Sequence, residues 1–405
     1  MLDTAVCVHC GLCLPSCPTY QETGMESASP RGRVVLLEAI ARGEKPSKEG
    51  LRQLDECLDC RACEEVCPAH VPVGHRVDDF RRAHRHWISP SKGAKRVTRW
   101  LASPIGLRGF HWAVRQSQRP VLARLASRGL PLSLRRLSQG LPPNIPGPMS
   151  RIKPRRQPSP GASPVGLFLG CVMDAVYAPT NARTAELLED TGALVSVPRS
   201  QRCCGALGFH SGDEAQARRL AIANMEAFSE AETVVVNAAG CGAFLKEYES
   251  LFEGDLTWRA RAGDLARRVQ DVHEYLSGHP LPLLEARPSK TSAVTIHDAC
   301  HLAHAQGVRQ PLRDLLQRAG YQVVEMMESD RCCGSAGTYN LSHPEMAERL
   351  KQRKVADVPA EARGVATSNP GCMLQIQAGL KEAGRDLRVA HTVDWLWEAY
   401  HGSHA

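Results

Sequence analysis

Eight cysteines near the amino terminus form two runs with the same spacing. Each run reads C-x2-C-x2-C-x3-C-P, and the second begins 50 residues after the first. The first run comprises Cys7, Cys10, Cys13 and Cys17. The second comprises Cys57, Cys60, Cys63 and Cys67. This spacing suits a [4Fe–4S] cluster because a compact loop aims three soft thiolates at one cubane. The proline then turns the chain away, since it lacks an N–H and fixes φ.

In ferredoxins with two such runs, the fourth cysteine of each run reaches the neighbouring cluster. The sequence therefore predicts a first cluster on Cys7, Cys10, Cys13 and Cys67. It predicts a second cluster on Cys57, Cys60, Cys63 and Cys17. A zinc site is an alternative, but it needs four cysteines rather than two complete runs with trailing prolines. A disulfide framework would need an oxidising compartment and is typical of short secreted domains.

The 405 residues are enough for two or three domains. No basic and apolar leader precedes Cys7, and no stretch approaches the roughly 20 apolar residues that span a bilayer. We therefore expect a cytoplasmic protein with reduced thiols, either soluble or peripheral on the inner face of the cytoplasmic membrane.

The net charge of +7 is unevenly distributed. The segment from Phe80 to Met173 has no Asp or Glu but eighteen Lys and Arg, so the rest of the chain is net acidic. Within it, arginines alternate with apolar residues at helical spacing, and Trp100 and Trp112 lie among them. Such a stretch suits an anionic membrane surface, or a helical arm that packs on this chain or a partner. It contains no nucleic-acid-binding motif, and we expect no nucleic acid partner.

Composition divides the chain into four parts. These are a helical two-cluster domain (1–90), a basic amphipathic arm and Pro-rich linker (91–164), and two repeats (165–285 and 290–405). Eight prolines between Leu141 and Pro164 predict an extended, semi-rigid linker. In the first part, Arg31-Gly32-Arg33 precedes an apolar helical run. These arginines either donate hydrogen bonds near a cluster or lie in solvent.

The second half of the chain is an internal repeat. In each copy an apolar run ends at a cysteine, Cys-Cys-Gly follows 32 residues later, and another apolar run ends at the last cysteine. Repeat 1 holds Cys171, Cys203, Cys204 and Cys241. Repeat 2 holds Cys300, Cys332, Cys333 and Cys372. Alternating strands and helices predict an α/β repeat with a mostly parallel sheet, whose cysteines gather at the carboxyl ends of the strands.

Three roles are open for the repeat cysteines. Their matched positions in two copies favour a further cluster or metal in one or both repeats. A redox-active disulfide at the adjacent cysteines is a second hypothesis, although C-x-x-C is the usual pattern for that chemistry. A third is that they are small buried hydrophobes. Nearby histidines could replace cysteines as ligands: His210, His297, His301 and His304.

The order of these motifs resembles the iron–sulfur subunit of glycolate oxidase. That family is similar to the small subunits of anaerobic glycerol-3-phosphate dehydrogenase and to heterodisulfide reductase subunits. The segments that carry the resemblance are Cys7-Val8-His9-Cys10-Gly11, Cys17-Pro18-Thr19-Tyr20, Pro30-Arg31-Gly32-Arg33, residues 240–248 and residues 332–339.

The resemblance implies a complex with FAD-binding subunits that oxidise glycolate to glyoxylate, from which electrons pass to a membrane quinone. It also implies that this chain transfers electrons and has no catalytic residue of its own. One departure concerns the end of each repeat, where heterodisulfide reductase has C-x-x-C. Here Ala238 and Asn369 stand in place of the first cysteine, which argues against a cluster of that type.

The chain has no G-x-G-x-x-G after a strand, so the usual dinucleotide fingerprint is absent. The flavin that accepts the hydride is therefore expected on a partner. Alternative functions are a thiol–disulfide reductase of heterodisulfide type that uses the Cys-Cys-Gly crevice, and the iron–sulfur subunit of a related glycerol-3-phosphate or D-lactate dehydrogenase. A further alternative is an interaction scaffold whose clusters are structural.

Overall fold

A computed structural model describes residues 7–84, 87, 98–100, 102–117, 139–142, 145, 164–279, 281 and 293–402. Over these ranges the amino-terminal region (residues 7–84) is helical, and two four-stranded parallel sheets follow it. The predicted class is confirmed: a multidomain α+β chain with a helical cysteine-rich region before two α/β repeats. In the ranges given, no helix combines the length and the apolar character needed to cross a bilayer.

The helices of the amino-terminal region are short. They are α1 (Pro18–Thr23), α2 (Pro30–Ala41), α3 (Lys48–Asp55), α4 (Ala62–Glu65) and α5 (Val73–Ala83), with a 3-10 turn at Glu26–Ala28. Ser29 and Ser47 cap α2 and α3, because their side chains accept hydrogen bonds from backbone N–H groups. Gly32 lets α2 approach the 3-10 turn, since a Cβ there would lie 2.0 Å from the carbonyl oxygen of Glu26.

Part of the basic arm forms helix α6 (Pro104–Ser117). Val114 on this helix is buried beside Met173 of repeat 1, whereas Ile105 and Trp112 are 80% and 65% exposed. The predicted helical arm therefore has one face packed on this chain and another facing solvent. Most of the remaining arm and nearly all of the Pro-rich linker lie outside the described residues.

The two repeats have the same order of elements, except that repeat 1 has an additional 3-10 turn and helix before its last strand. Repeat 1 contains β1 (Pro164–Phe168), α7 (Cys171–Val176), α8 (Ala178–Asp190), β2 (Leu194–Ser196), α9 (Ala206–His210), α10 (Glu214–Ala227), β3 (Thr233–Val236), α11 (Ala239–Lys246), a 3-10 turn (Tyr248–Phe252), α12 (Leu256–Arg268), β4 (Val269–Asp271) and α13 (Val272–Gly278). Repeat 2 contains β5 (Ala293–Ile296), α14 (Cys300–Ala303), α15 (Gln310–Arg318), β6 (Gln322–Val324), α16 (Tyr339–Ser342), α17 (Pro344–Ala356), β7 (Gly364–Thr367), α18 (Pro370–Glu382), β8 (Arg388–His391) and α19 (Thr392–His401).

Both sheets place the strands in corresponding orders, β2-β1-β3-β4 and β6-β5-β7-β8. The register also corresponds, because Val165 pairs with the first residue of β3 and Val294 with the first residue of β7. Val165 and Val294 are thus equivalent, and so, three residues further along, are Phe168 and His297. The sequence predicts three strands in each repeat, and the structure has four. In repeat 1 the additional strand, β4, has only three residues and continues directly into the next helix.

The two repeats share a buried core that includes Leu167 of repeat 1 and Ile296 of repeat 2. Beyond the third strands, the backbone N–H of Ala239 donates to the carbonyl of Ser368 at 2.9 Å. The amino-terminal region contacts both repeats: Arg61 pairs with Glu247 at 3.2 Å, and the Tyr339 hydroxyl donates to the carbonyl of Glu56 at 3.1 Å.

Candidate metal centres

The two cysteine runs form two loops with the same pattern of left-handed backbone residues. His9 and Gly11 in the first run have φ values of 54° and 83°, and Asp59 and Arg61, each 50 residues later, have 49° and 63°. Left-handed residues at alternate positions turn backbone N–H groups toward a concavity, an arrangement found at phosphate and iron–sulfur sites. Both loops are therefore suited to surround a group that carries negative charge.

Each loop borders a cavity lined with cysteine. The first cavity has about 450 Å³ of space, including space open to solvent, and is lined by Cys7, Cys10, Cys13 and Cys67 among others. The second has about 370 Å³ and is lined by Cys17, Cys57 and Cys60 among others. Cys63 borders both cavities. The last cysteine of each run thus lies at the cavity of the other run, and the cross-ligation stays a prediction for a variant to test.

The cysteines are available to a metal, because none of them is in a disulfide. All sixteen cysteines lie in the described ranges and are free thiols. Burial, followed by the neighbouring Cys300 thiol, raises the pKa of Cys60 well above its usual range. Burial also raises the pKa of Cys57. A metal therefore has to displace protons from these thiols when it binds. Eight sulfur donors at two cavities fit two clusters of four thiolates each.

Arg33 places a positive charge against the second cavity. It is fully buried, and its guanidinium donates to Cys17 Sγ at 3.7 Å, to Thr19 Oγ1 at 3.0 Å and to the carbonyl of Gln53 at 2.9 Å. Among the described residues, no carboxylate forms a salt bridge with it. A buried charge without a counter-ion is costly, so the thiolates and their cluster are the natural counter-charge. The sequence left open whether the arginines of Arg31-Gly32-Arg33 lie near a cluster or in solvent, and Arg33 lies beside the cysteines.

Repeat 1 brings its four thiols together in pairs. The Sγ atoms of Cys171 and Cys203 lie 3.3 Å apart, and those of Cys204 and Cys241 lie 3.4 Å apart. The Tyr248 hydroxyl donates to the carbonyl of Cys204 at 2.6 Å and so restrains the loop that carries Cys203 and Cys204. Strand ends and helix starts therefore deliver all four sulfur atoms to one place.

Repeat 2 also brings its four thiols together, because the Cys332 thiol interacts with those of Cys300 and Cys333, and the Cys333 thiol also interacts with that of Cys372. Cys300 and Cys332 share a buried cluster with Cys60 of the amino-terminal region. Cys333 and Cys372 also lie beside His297, and a ring nitrogen of His297 and both sulfur atoms are within 4.8 Å of one another. Repeat 2 thus continues the row of sulfur atoms from the second cavity into the interior.

Asp59 lies where the amino-terminal region meets both repeats. Its carboxylate forms a group with ring nitrogens of His210 in repeat 1 and His301 in repeat 2, all within 4.8 Å. Arg61 donates to it at 2.8 Å. Burial disfavours protonation of His301, but hydrogen bonds to Asp59 and Cys300 outweigh it and raise the pKa of His301 to about 9. The sequence did not reveal this junction, because more than a hundred residues separate Asp59 from either histidine.

The remaining histidines near the cysteines have different partners. His304 hydrogen-bonds the carboxylate of Glu65. His297 is fully buried, with Nδ1 3.0 Å from the carbonyl oxygen of Ser329. Burial, reinforced by the charge of Lys354, lowers the pKa of His297 well below its usual range. Its imidazole is therefore neutral, which is the form that binds metals.

These features define an iron–sulfur protein in which a helical two-run region contacts two cysteine-rich repeats. The family model of the 4Fe-4S dicluster domain matches residues 3–71, and that of the Cysteine-rich domain matches residues 165–246 and 294–377. The first of these matches confirms the iron–sulfur cofactor predicted for the amino-terminal region.

Relatives match over nearly the full length. The chain is 36% identical to the probable glycolate oxidase iron-sulfur subunit of Bacillus subtilis, over 97% of this chain and 93% of that protein. It is 32% identical to the glycolate oxidase iron-sulfur subunit of Escherichia coli, with the same coverage. Lactate utilization protein A of Geobacillus kaustophilus is 32% identical, over 57% of this chain and 98% of that protein. The chain belongs to the family of glycolate oxidase iron–sulfur subunits, as its motifs predicted.

We predict that Cys17→Ser removes the cluster bound by the second run, although Cys17 belongs to the first. Iron in the anaerobically purified full chain should fall from about eight to about four atoms, with loss of one EPR signal. Cys13→Ser is the matched control and should remove the other signal. Persistence of the second-run signal in Cys17→Ser would contradict cross-ligation.

Arg33→Gln should lower the reduction potential of the second-run cluster, because a buried cation stabilises the more negative reduced state. Loss of one hydrogen bond to a charged group, about 1.5 kcal/mol, corresponds to roughly 65 mV for one electron. A redox titration followed by EPR measures the shift. Arg52→Gln, at an exposed arginine paired with Glu49, is the control. An equal shift of the potential in both variants would contradict a specific effect of Arg33 on the second-run cluster.

Proposed function

We propose that this chain is the electron-transfer subunit of a flavin-dependent complex that oxidises glycolate to glyoxylate. The observation that carries the proposal is a row of cysteine sites from the surface to the interior. The row begins at the exposed Cys10 in the first cavity and passes Cys63, which borders both cavities. It continues to Cys60, which packs against Cys300 of repeat 2.

When bound, [4Fe–4S] clusters accept and release single electrons. The residues of this chain hold them and shape their surroundings: Arg33 adds buried positive charge, and Arg81 fixes the second loop by donating to the carbonyl of Cys57 at 2.7 Å. Removal of a hydride from a 2-hydroxy acid needs a two-electron acceptor such as a flavin. Because the sequence lacks the dinucleotide fingerprint, we assign FAD and the glycolate site to partner subunits.

We place the complex at the inner face of the cytoplasmic membrane, with quinone as the electron acceptor. The exposed face of α6 supports this placement. Ile105, Arg108, Trp112 and Arg115 recur at intervals of three and four residues, so they share one side of the helix, and all four are exposed. Apolar and aromatic residues beside arginines suit the boundary between lipid headgroups and acyl chains.

The alternatives have less support. Thiol–disulfide exchange requires access of a substrate to a sulfur atom, but Cys203, Cys204, Cys332 and Cys333 are all buried.

The comparisons also bear on the substrate. The relatives named for glycolate oxidase align over 97% of this chain, and the lactate utilization relative aligns over 57%. This difference favours glycolate over lactate.

The experiment is a two-acceptor assay on the anaerobically purified complex. Glycolate-dependent reduction of a dye that reacts directly with the flavin should be unchanged in Cys17→Ser, because the partner holds that chemistry. Reduction of a soluble quinone should fall by about tenfold or more, since one relay site is lost. If quinone reduction persists after that cluster is gone, the clusters are structural and the proposal is wrong.

A second prediction concerns the membrane. Replacing Ile105 and Trp112 by Glu should weaken sedimentation of the complex with vesicles of anionic phospholipid, because both apolar side chains and the local positive charge are lost. Leu256→Glu is the control, since this residue is 81% exposed on α12 of repeat 1. Equal binding by the double variant and the control would argue that α6 contacts a protein partner instead.

A further inference from the structure

A carboxylate and two imidazoles meet where the amino-terminal region contacts both repeats. An oxygen of Asp59 and a ring nitrogen each of His210 and His301 all lie within 4.8 Å of one another. Asp59 Oδ2 is 3.5 Å from Nδ1 of His210 and 3.9 Å from Nε2 of His301. Atoms that bind one tetrahedral zinc ion at about 2.0–2.1 Å lie roughly 3.3 Å from one another. The three groups are therefore close to the spacing that a single divalent cation requires.

The two oxygens of Asp59 have different surroundings. The residue is 5% exposed, and Nε of Arg61 donates to Oδ1 at 2.8 Å. Oδ2 is buried, and no residue in the described ranges donates a hydrogen bond of ordinary length to it. A buried carboxylate oxygen without a close donor is unfavourable. A cation between the two imidazoles would satisfy this oxygen.

Other residues hold both imidazoles in place. Asp78 is 1% exposed, and its Oδ2 lies 2.7 Å from Nδ1 of His210. Histidines that bind metals usually have a hydrogen-bonded carboxylate or similar partner, which fixes the ring. In His301, Nδ1 lies 3.6 Å from Cys300 Sγ, so the nitrogen that faces Asp59 is Nε2. Cys300 itself stays with the other thiols of repeat 2.

The charges around the three groups favour a cation. Two guanidiniums form ion pairs with four carboxylates at this junction. Arg61 pairs with three of them and Arg81 with the fourth; the carboxylates are Asp59, Glu64, Glu247 and Asp78. Two negative charges are left when the imidazoles are neutral. One divalent cation supplies the same charge as two imidazolium protons, so it can replace them.

The site is open enough for a cation to enter. The side chains of His210 and His301 are 27% and 21% exposed, whereas Asp59 lies beneath them. Three protein ligands with an open fourth position are typical of zinc that keeps a water molecule. Two histidines and one carboxylate are also a ligand set for iron(II).

The repeats contribute to this site from positions that are not equivalent. His301 follows the first cysteine of repeat 2, and the residue at that position in repeat 1 is Val172. His210 lies six residues after the Cys-Cys pair of repeat 1, where repeat 2 has Tyr339. The ligand set therefore depends on the contact of all three parts of the chain and is not duplicated with the repeats.

We propose that Asp59, His210 and His301 bind one borderline divalent cation, zinc or iron(II), at the junction of the amino-terminal region with both repeats. The ligand set contains no cysteine, and each of the three parts supplies one ligand, so the cation holds them together. Any protons on the imidazoles pass to solvent when it binds. The inference does not depend on which acid the complex oxidises or on what the cysteine sites hold.

The test titrates zinc into the anaerobically purified full chain against a competing chelator dye. Wild type should bind one zinc ion that His210→Gln and His301→Gln bind more than about a hundredfold more weakly, since loss of a mere supporting residue costs 10–100-fold. His75→Gln is the matched control and should bind as wild type does. His75 lies in the same charged region, with Nε2 2.8 Å from Nη1 of Arg61, but it is not one of the three ligands. Unchanged iron–sulfur EPR signals show that a variant has folded.

X-ray absorption at the zinc edge separates this site from a cysteine site. Zinc bound as proposed should have only nitrogen and oxygen ligands, at about 2.0–2.2 Å, whereas thiolates would appear at about 2.3 Å. The two histidines are replaced separately, so a folding defect in one variant leaves the other to decide. The proposal is overturned if wild type binds no zinc, if the bound zinc has sulfur ligands, or if both histidine variants bind zinc as tightly as wild type.

Discussion

All the strands of a parallel sheet end at the same edge, and this constraint organises the molecule. Cys171 follows β1 and Cys300 follows β5, while the last cysteine of each repeat follows the third strand in sequence. The sulfur atoms of a repeat therefore gather without any need for a long loop. Because the two sheets share one core, one small helical region can contact both repeats, and it does so around Asp59.

The second cysteine run lies among buried charges of both signs. Arg33 and Arg61 are both buried, but Arg61 is neutralised by Asp59 and Glu247, whereas Arg33 faces Cys17. Unpaired cations and thiols in one low-dielectric region are individually unfavourable and mutually stabilising once the thiols are deprotonated. The same region that binds the repeats therefore also sets the charge around its ligands.

The sequence predicts the local features well and the long-range ones poorly. Cysteine spacing, the duplication and the helices between strands could be read directly, since each depends on residues close in the chain. One of these helices, between the Cys-Cys-Gly motif of repeat 2 and β7, is α17 (Pro344–Ala356). The burial of Arg33, the junction at Asp59 and the neutral imidazole of His297 depend on residues far away in sequence, so no local pattern marks them. The short strand β4 was missed because three residues show no alternation.

The two cysteine cavities lie at different depths, which has a consequence for the protein in air. Cys10 of the first cavity is exposed, whereas Cys17 and Cys60 of the second are 6% and 9% exposed. Oxidants attack sulfur ligands in proportion to their accessibility. Oxygen should therefore damage a cluster in the exposed first cavity before one in the buried second cavity. A preparation that loses its colour slowly in air should pass through a form that retains only the second cluster.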